Sequence, residues 1–290
     1  MKKVLLTLVM ISVSLGLSAQ RLWKISGNGL EKPSYIFGTH HLAPASIADS
    51  TDGFAEALAA VDRVYGEVDM SLAMAPAAQM KIASMIMAPA DSTLSKVFTA
   101  EELAEIDAYL QRAVGPAMTA AMFESYRPIM ISIALEMAMM NRIIPDADPT
   151  NPLDGHIQQL ARAEGKEVGG LETVEFQSAL LYGSSIADQA ASLLRTVRSG
   201  RDPLADSRML YARYAEGDLD GLMTVMDRAS AMTPEEADAM LYNRNSSWVN
   251  FLIGILPATS IMIVVGAGHL PGERGVINLL RKAGFSVNPV

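Results

Sequence analysis

Cysteine is absent from this 290-residue chain. That removes a disulfide scaffold, a thiolate zinc site, an iron–sulfur cluster and thiol catalysis together. Basic residues are also short, with 23 Lys and Arg against 32 Asp and Glu and a net charge of −9. A nucleic-acid groove, which depends on Lys and Arg to neutralise phosphates, is excluded. Aromatics make up 6% of the chain and histidines number four. There is no Walker loop, no Gly-x-Gly-x-x-Gly between a strand and a helix, no Gly-x-Ser-x-Gly elbow and no His-Glu-x-x-His helix. P-loop, dinucleotide-binding, α/β-hydrolase and zincin chemistries therefore lack their motifs. Two apolar stretches, 129–144 and 248–265, fail as membrane spans: Glu136 and Asn141 interrupt the first, Gly254 and Pro257 the second. What remains is 50% hydrophobic, includes 19 Met, and is 19% charged, a composition that buries enough surface to fold.

Residues 1–19 set Lys2 and Lys3 before an apolar run that ends at Leu17-Ser18-Ala19. This predicts a secretory signal peptide, hence an exported protein, periplasmic or secreted. No cysteine follows the run, so a lipid anchor is excluded. Loss of Lys2 and Lys3 would leave the remainder more acidic still, with no integral span. Residues 20–290 are then expected to form a single domain.

Along that domain, strands are expected at 22–26, 34–37, 63–68, 166–171, 260–265 and 285–287, with a turn at Gly27-Asn28-Gly29. A helix is expected at 54–61, and a large helical insertion at about 72–164. Further helices are expected at 174–181, 186–198, 203–216, 219–227, 234–254 and 275–283. Thr99 with Glu102, and Thr233 with Glu236, fit the capping box, and Pro234 takes the first helical position. The Met residues between 118 and 140 recur at helical spacing and are read as packing surface. Their alternative use is a contact in a homodimer. The fold class is α/β (mixed α+β): a central mixed β-sheet flanked by helices.

No short repeat is present, which excludes solenoids and propellers. A longer echo is. Tyr35-Ile-Phe-Gly-Thr-His-His41-Leu42 and Ile263-Val-Val-Gly-Ala-Gly-His269-Leu270 share an apolar strand, Gly-x-x-His, then Leu. Val64-Tyr-Gly-Glu67 and Val168-Gly-Gly-Leu-Glu172 each run an apolar strand into Gly and Glu. The chain thus reads as two pseudo-repeated halves, each supplying one strand that ends in His and one that ends in Glu.

Reactive side chains of an open α/β sheet gather beyond the carboxyl ends of its strands. Gly38 and Gly266 are expected to let the chain turn sharply there. His41 and His269 would then project over the sheet edge and meet Glu67 and Glu172. Two imidazoles and two carboxylates suit a divalent transition metal (Zn, Mn, Co or Fe). They suit metal-free acid–base work equally. His40 would point away from His41 in an extended segment, so His41 is taken as the inward one. Arg244, beside Asn245, is expected to clamp a carboxylate or a substrate oxyanion, or to serve as a structural ion pair. His156 is read as a helix-surface histidine and Asp154 as a helix N-cap.

At these residues the sequence resembles the TraB/GumN family, which also takes in the animal Tiki proteins that proteolyse Wnt. The resemblance runs through Leu22-Trp-Lys-Ile-Ser-Gly-Asn-Gly29, Gly38-Thr-His-His-Leu42, Glu67-Val-Asp69, Leu153-Asp154, Gly170-Leu-Glu-Thr-Val-Glu-Phe-Gln177, Arg244-Asn245 and Val265-Gly-Ala-Gly-His-Leu-Pro-Gly272. It implies a fold like that of the erythromycin-esterase/ChaN group, a mixed sheet with a helical insertion. It also implies a metal-dependent peptidase site made of His41, His269 and Glu67, supported by Glu172 and Arg244. The expected function is an exported metal-dependent hydrolase acting on a peptide or small-molecule ligand. The alternative is a non-catalytic binding protein for a peptide, pheromone or haem-like ligand.

Overall fold

The computed structural model describes residues 20–145, 147–148 and 150–290; the expected signal peptide lies outside the described residues. Among the described residues, six strands form one sheet: β1 (Leu22–Ser26), β2 (Ser34–Thr39), β3 (Arg63–Gly66), β4 (Glu167–Gly170), β5 (Ile261–Gly266) and β6 (Ser286–Pro289). Their spatial order is β4-β3-β5-β2-β1-β6. The first four in that order are mutually parallel, while β1 runs antiparallel to β2 and to β6. The sheet is therefore mixed, as the sequence leads one to expect.

The strand composition explains the order. β5 reads Ile-Met-Ile-Val-Val-Gly and is buried along its whole length, as a parallel strand covered on both faces must be. The antiparallel β1–β2 pair is joined by residues 27–33, which open on a turn closed by Leu30 N–H donating to Gly27 O at 3.0 Å. Gly27, Asn28 and Gly29 supply that turn with successive φ values of 77°, 48° and 79°, a left-handed path that glycine and asparagine adopt most readily.

Register sets the level of the strand ends. Thr39 pairs with Gly266, and Gly66 pairs with both Val264 and Gly170. The β3–β4 pairing continues past the strands, since Leu171 N–H donates to Gly66 O and Glu172 N–H to Glu67 O, each at 2.9 Å. The four strands that carry the Gly-x-x-His and Gly–Glu motifs are contiguous, and all finish at one rim. The two pseudo-repeated halves are interleaved rather than side by side: in spatial order the strands belong to the second, first, second and first half.

Helices cover the sheet and build a second lobe. The helix Leu153–Ala163 turns Leu153, Ile157 and Ala161 into the main core and packs against β3 and β4. It falls inside the expected insertion yet belongs to the sheet. The lobe has its own core, in which Leu94, Ile106, Leu110, Ile131, Leu135 and Met139 meet Leu193 and Val197 from the later helix Ile186–Val197. Met139 and Met140 are buried while Met122 and Met137 are exposed, so the Met stripe is only partly core.

Both expected capping boxes form, at Thr99–Glu102 and Thr233–Glu236. The single helix expected at 234–254 is instead three pieces: Pro234–Ala237, a π-helical turn Asp238–Tyr242, and Asn243–Ile255. Such a wide turn is a frequent companion of functional sites, and here it immediately precedes Arg244.

Candidate active site

His41, Glu67, Glu172 and His269 come from four different strand ends; His41, Glu67 and His269 form part of the wall of one cleft together with Arg244, whereas Glu172 is held against Arg244 and Trp248 and does not line it. Gly266 marks where they converge. A Cβ built on it would lie 3.3 Å from Glu67 Oε1, 3.6 Å from His269 Cδ2 and 3.7 Å from His41 Nε2. The backbone there, at φ −53° and ψ 132°, suits any residue, so the glycine is explained by the space it leaves rather than by a turn. Gly38 has a different reason: its Cβ would meet Leu270 Cδ1 at 2.8 Å and Ala267 Cα at 3.4 Å. The first Gly-x-x-His motif is thus packed directly on the second, and neither glycine is there to bend the chain.

Each histidine has one nitrogen committed. His41 Nδ1 lies 2.9 Å from Asp154 Oδ2, while Thr39 Oγ1 donates to Asp154 Oδ1 at 2.6 Å. Asp154, read as an N-cap, is not one: Pro152 holds that position, and Asp154 turns into the protein one position inside the helix. It raises the His41 pKa to about 10, against the opposing effect of burial, although the ring is 63% exposed toward the cleft. On the other side, His269 Nδ1 lies 2.6 Å from Asn245 Oδ1. Asn245 Nδ2 donates to the carbonyls of His269 and Arg274, which leaves Oδ1 as the acceptor. His269 therefore carries its proton on Nδ1 and a lone pair on Nε2. Burial lowers its pKa to about 4, so it is neutral at pH 7.

Arg244 ties the carboxylates together. Its Nε and Nη2 form a fork on Glu172 at 3.1 and 2.7 Å, and Nη2 also reaches Glu67 Oε2 at 2.6 Å. Nη1 donates to Met240 O at 2.9 Å and toward His269 Nε2 at 3.2 Å. Trp248 lies beneath the guanidinium, 4.7 Å from its centre, and donates Nε1–H to Glu172 Oε2 at 3.3 Å. Gln177 Nε2 bridges Glu67 and Glu172, at 3.1 Å to each. Glu67 Oε1 accepts from Gly266 N–H at 2.9 Å. Burial alone would raise the Glu67 carboxyl, but the charges of His41 and Arg244 outweigh it and hold the group below its usual range.

His40 is set apart. Its ring packs against Tyr211 and Tyr214 at 5.8 and 5.5 Å, and burial lowers its pKa to about 4. His156, expected on the surface, is mostly covered: its ring Nε2 has no hydrogen-bond partner and lies 3.6 Å from Asp49 Oδ1.

The donors decide whether a metal fits. Among the described residues, no three His, Asp or Glu side chains are gathered closely enough to hold an ion between them. His269 Nε2 and Glu67 Oε1 are 3.8 Å apart, and Arg244 donates to both of these side chains. In donor type the set does fit once His41 releases the proton that its raised pKa keeps on the ring. Two imidazoles with Nδ1 fixed by oxygen acceptors and Nε2 left over, together with a carboxylate, is the arrangement in which proteins present histidine to divalent metals. The Nε2 lone pair of His269 serves either Arg244 or an ion, and not both.

Residues 21–289 match the family model described as the TraB/PrgY/gumN family. Among curated proteins, the chain is 23% identical to "Metalloprotease TIKI2" of Danio rerio, over 92% of this chain and 60% of that protein. It is 24% identical to "Metalloprotease TIKI1" of Homo sapiens, over 92% of this chain and 61% of that protein, and likewise 24% identical to "Metalloprotease TIKI1" of Xenopus tropicalis. The chain thus spans about 60% of the length of the curated relatives it matches. No solved structure matches it. With a match that runs through both Gly-x-x-His motifs and through Glu67 and Glu172 between them, the chain belongs to the TraB/PrgY/gumN family.

Proposed function

We propose that the chain is an exported metal-dependent hydrolase of the peptidase class. The observation that carries this reading is the pair of imidazoles, each fixed through Nδ1, with His269 Nε2 3.8 Å from Glu67 Oε1 and His41 Nε2 beside the same Gly266. The names of the curated relatives support the choice of a metalloprotease over other hydrolases.

His41, His269 and Glu67 would hold a divalent transition ion (Zn, Mn, Co or Fe). Such an ion, when bound, supplies the positive charge that acidifies water and polarises a carbonyl. Asp154 and Asn245 set the direction and tautomer of the two histidines, the outer-shell role that tunes metal affinity. Glu172 is engaged by Arg244, Trp248 and Gln177, and its part is to hold the guanidinium. Arg244 in turn fixes Glu67 and stands at the cleft wall, where it can orient a substrate carboxylate or oxyanion. Val68, Met70, Leu180, Leu181 and Met240 line the same cleft, about 490 Å³ in volume, and offer apolar contact to a peptide.

The test is metal analysis of protein purified without chelator or affinity tag, joined to hydrolysis of a peptide library. About one equivalent of transition metal is expected, absent from a His41→Ala/His269→Ala double variant, with hydrolysis stopped by chelator and restored by one of the four ions. Peptide binding without turnover, unchanged in that double variant and by chelator, would replace this reading with that of a binding protein.

A further inference from the structure

A second polar centre stands away from the metal-type cluster. The cleft at His41 and His269 adjoins a cavity of about 310 Å³ that shares both histidines and Met226 with it. That cavity in turn shares Glu136, Leu210 and Met226 with a third, of about 400 Å³. The three form one path from the site into the helical lobe, with Met226 common to all. Glu136, on the helix Ile129–Ile143, belongs to the walls of the second and third cavities.

Glu136 is poorly matched to its surroundings. Its one hydrogen bond among the described residues comes from Ser207 Oγ at 3.3 Å. Among the described residues, no Lys, Arg or His lies within ion-pair distance of it. The nearby cation is already used, for Arg201 forks onto Asp206 with two bonds of 2.6 Å. Leu135, Met139, Leu193 and Met226 make the rest of the third cavity largely apolar. A carboxylate in such a wall is costly unless a cation comes to it.

We propose that Glu136 is a recognition subsite for a primary ammonium group of a peptide, bound at the far end of the path that begins at His41 and His269. Burial already raises the Glu136 carboxyl above its ordinary value, the cost that an arriving ammonium would relieve. A peptide chain offers that group as its N-terminal amine or as a lysine side chain. The choice of a peptide rests on the peptidase reading; the preference for an ammonium group does not.

The experiment uses the full mature chain without added metal, so that no turnover enters. Hexylammonium and hexan-1-ol are titrated while the methyl signals of Met139, Met226 and Met232, all on the cavity walls, are followed by NMR. Hexylammonium should shift these signals and bind at least about tenfold more tightly than the alcohol. Glu136→Gln should remove that preference, and Ser207→Ala, which leaves the carboxylate in place, should keep it. Two peptides then compete with hexylammonium: one with a free N-terminus and no lysine, one Nα-acetylated with a single internal lysine. Displacement by the first assigns the N-terminal amine, and by the second the side chain; either supports the subsite. Equal binding of amine and alcohol to the native protein, an unchanged preference in Glu136→Gln, or displacement by neither peptide would overturn it. None of these outcomes bears on the metal content or hydrolysis that test the proposed function.

Discussion

Replacing Arg244 by Met tests the electrostatic account of the cleft most directly. The guanidinium, Glu67 and Glu172 are all at least nine-tenths buried, with side-chain exposures of 7%, 8% and 6%. Arg244→Met keeps apolar volume near Trp248 but leaves two neighbouring carboxylates without their common cation. Glu67 retains Gly266 N–H and Gln177, and Glu172 retains Trp248 and Gln177. Neutral donors do not replace a charge. Breaking a buried pair in this way costs about 3–5 kcal/mol, a large share of the roughly 5–15 kcal/mol that holds a domain together. Urea unfolding at pH 7.5 should show that loss. Adding Glu172→Gln removes one orphaned charge and should restore at least about 1 kcal/mol, a coupling between contacting residues.

The pH dependence of that loss has a definite sign. In the native protein the folded-state pKa of Glu67 is depressed. Its contribution is therefore present above the unfolded value and is lost as pH falls through the folded one. Without Arg244 the folded pKa rises, so protonation removes the penalty at a higher pH. The gap between native protein and variant should narrow on acidification. A variant within about 1 kcal/mol of native, or a gap that widens as pH falls, would refute the charge accounting.

The two glycines of the repeated motifs should behave differently. Gly266→Ala places a methyl within 3.3–3.7 Å of Glu67, His269 and His41 on an unstrained backbone. It should change stability by less than about 1 kcal/mol while lowering metal affinity at least about tenfold, as calorimetry on the purified variant would show. Gly38→Ala presses on Leu270 and Ala267 between the two motifs and should cost about 1–3 kcal/mol in thermal or urea unfolding. Asp154→Asn should lower the His41 pKa from about 10, visible as a shifted midpoint in an NMR titration of its ring proton. The same variant should lose about 10–100-fold in metal affinity; an unmoved His41 midpoint would show that Asp154 does not control the ring.

What the sequence revealed was local. The β-branched run of β5 and the Thr-x-x-Glu boxes form wherever they stand, because their determinants lie within a few residues. The four motif residues were found at one rim because parallel strands finish on the same side. Asp154 was misplaced by a register detail. Asp154 and Gln158 lie four residues apart beside the apolar Leu153, Ile157 and Ala161, a polar pair on a buried face that signals internal partners better than a cap. The π turn at Asp238–Tyr242 adds one residue to a helical path, which hydrophobic periodicity does not register. The assignment of Leu153–Ala163 to the sheet, and of Ile186–Val197 to the helical lobe, depends on contacts between distant segments that no local pattern encodes.

Interleaving of the halves accounts for the distribution of charge across the rim. The spatial order β4-β3-β5-β2 brings the two glutamate-bearing ends side by side and the two histidine-bearing ends side by side. Glu67 and Glu172 are further joined by the continuing β3–β4 ladder. Two buried carboxylates in that position require a cation whatever else binds, and Arg244 supplies it. Loss of activity in an Arg244 variant would therefore not separate a structural ion pair from a catalytic group. The discriminating positions are on the histidine side, where Asp154 and Asn245 fix the rings from behind and Gly266 keeps the space in front of them open. A fold that needed these histidines only for packing would tolerate Gly266→Ala without any change in metal or ligand binding. A site that uses both Nε2 atoms would lose that binding while the chain stayed folded.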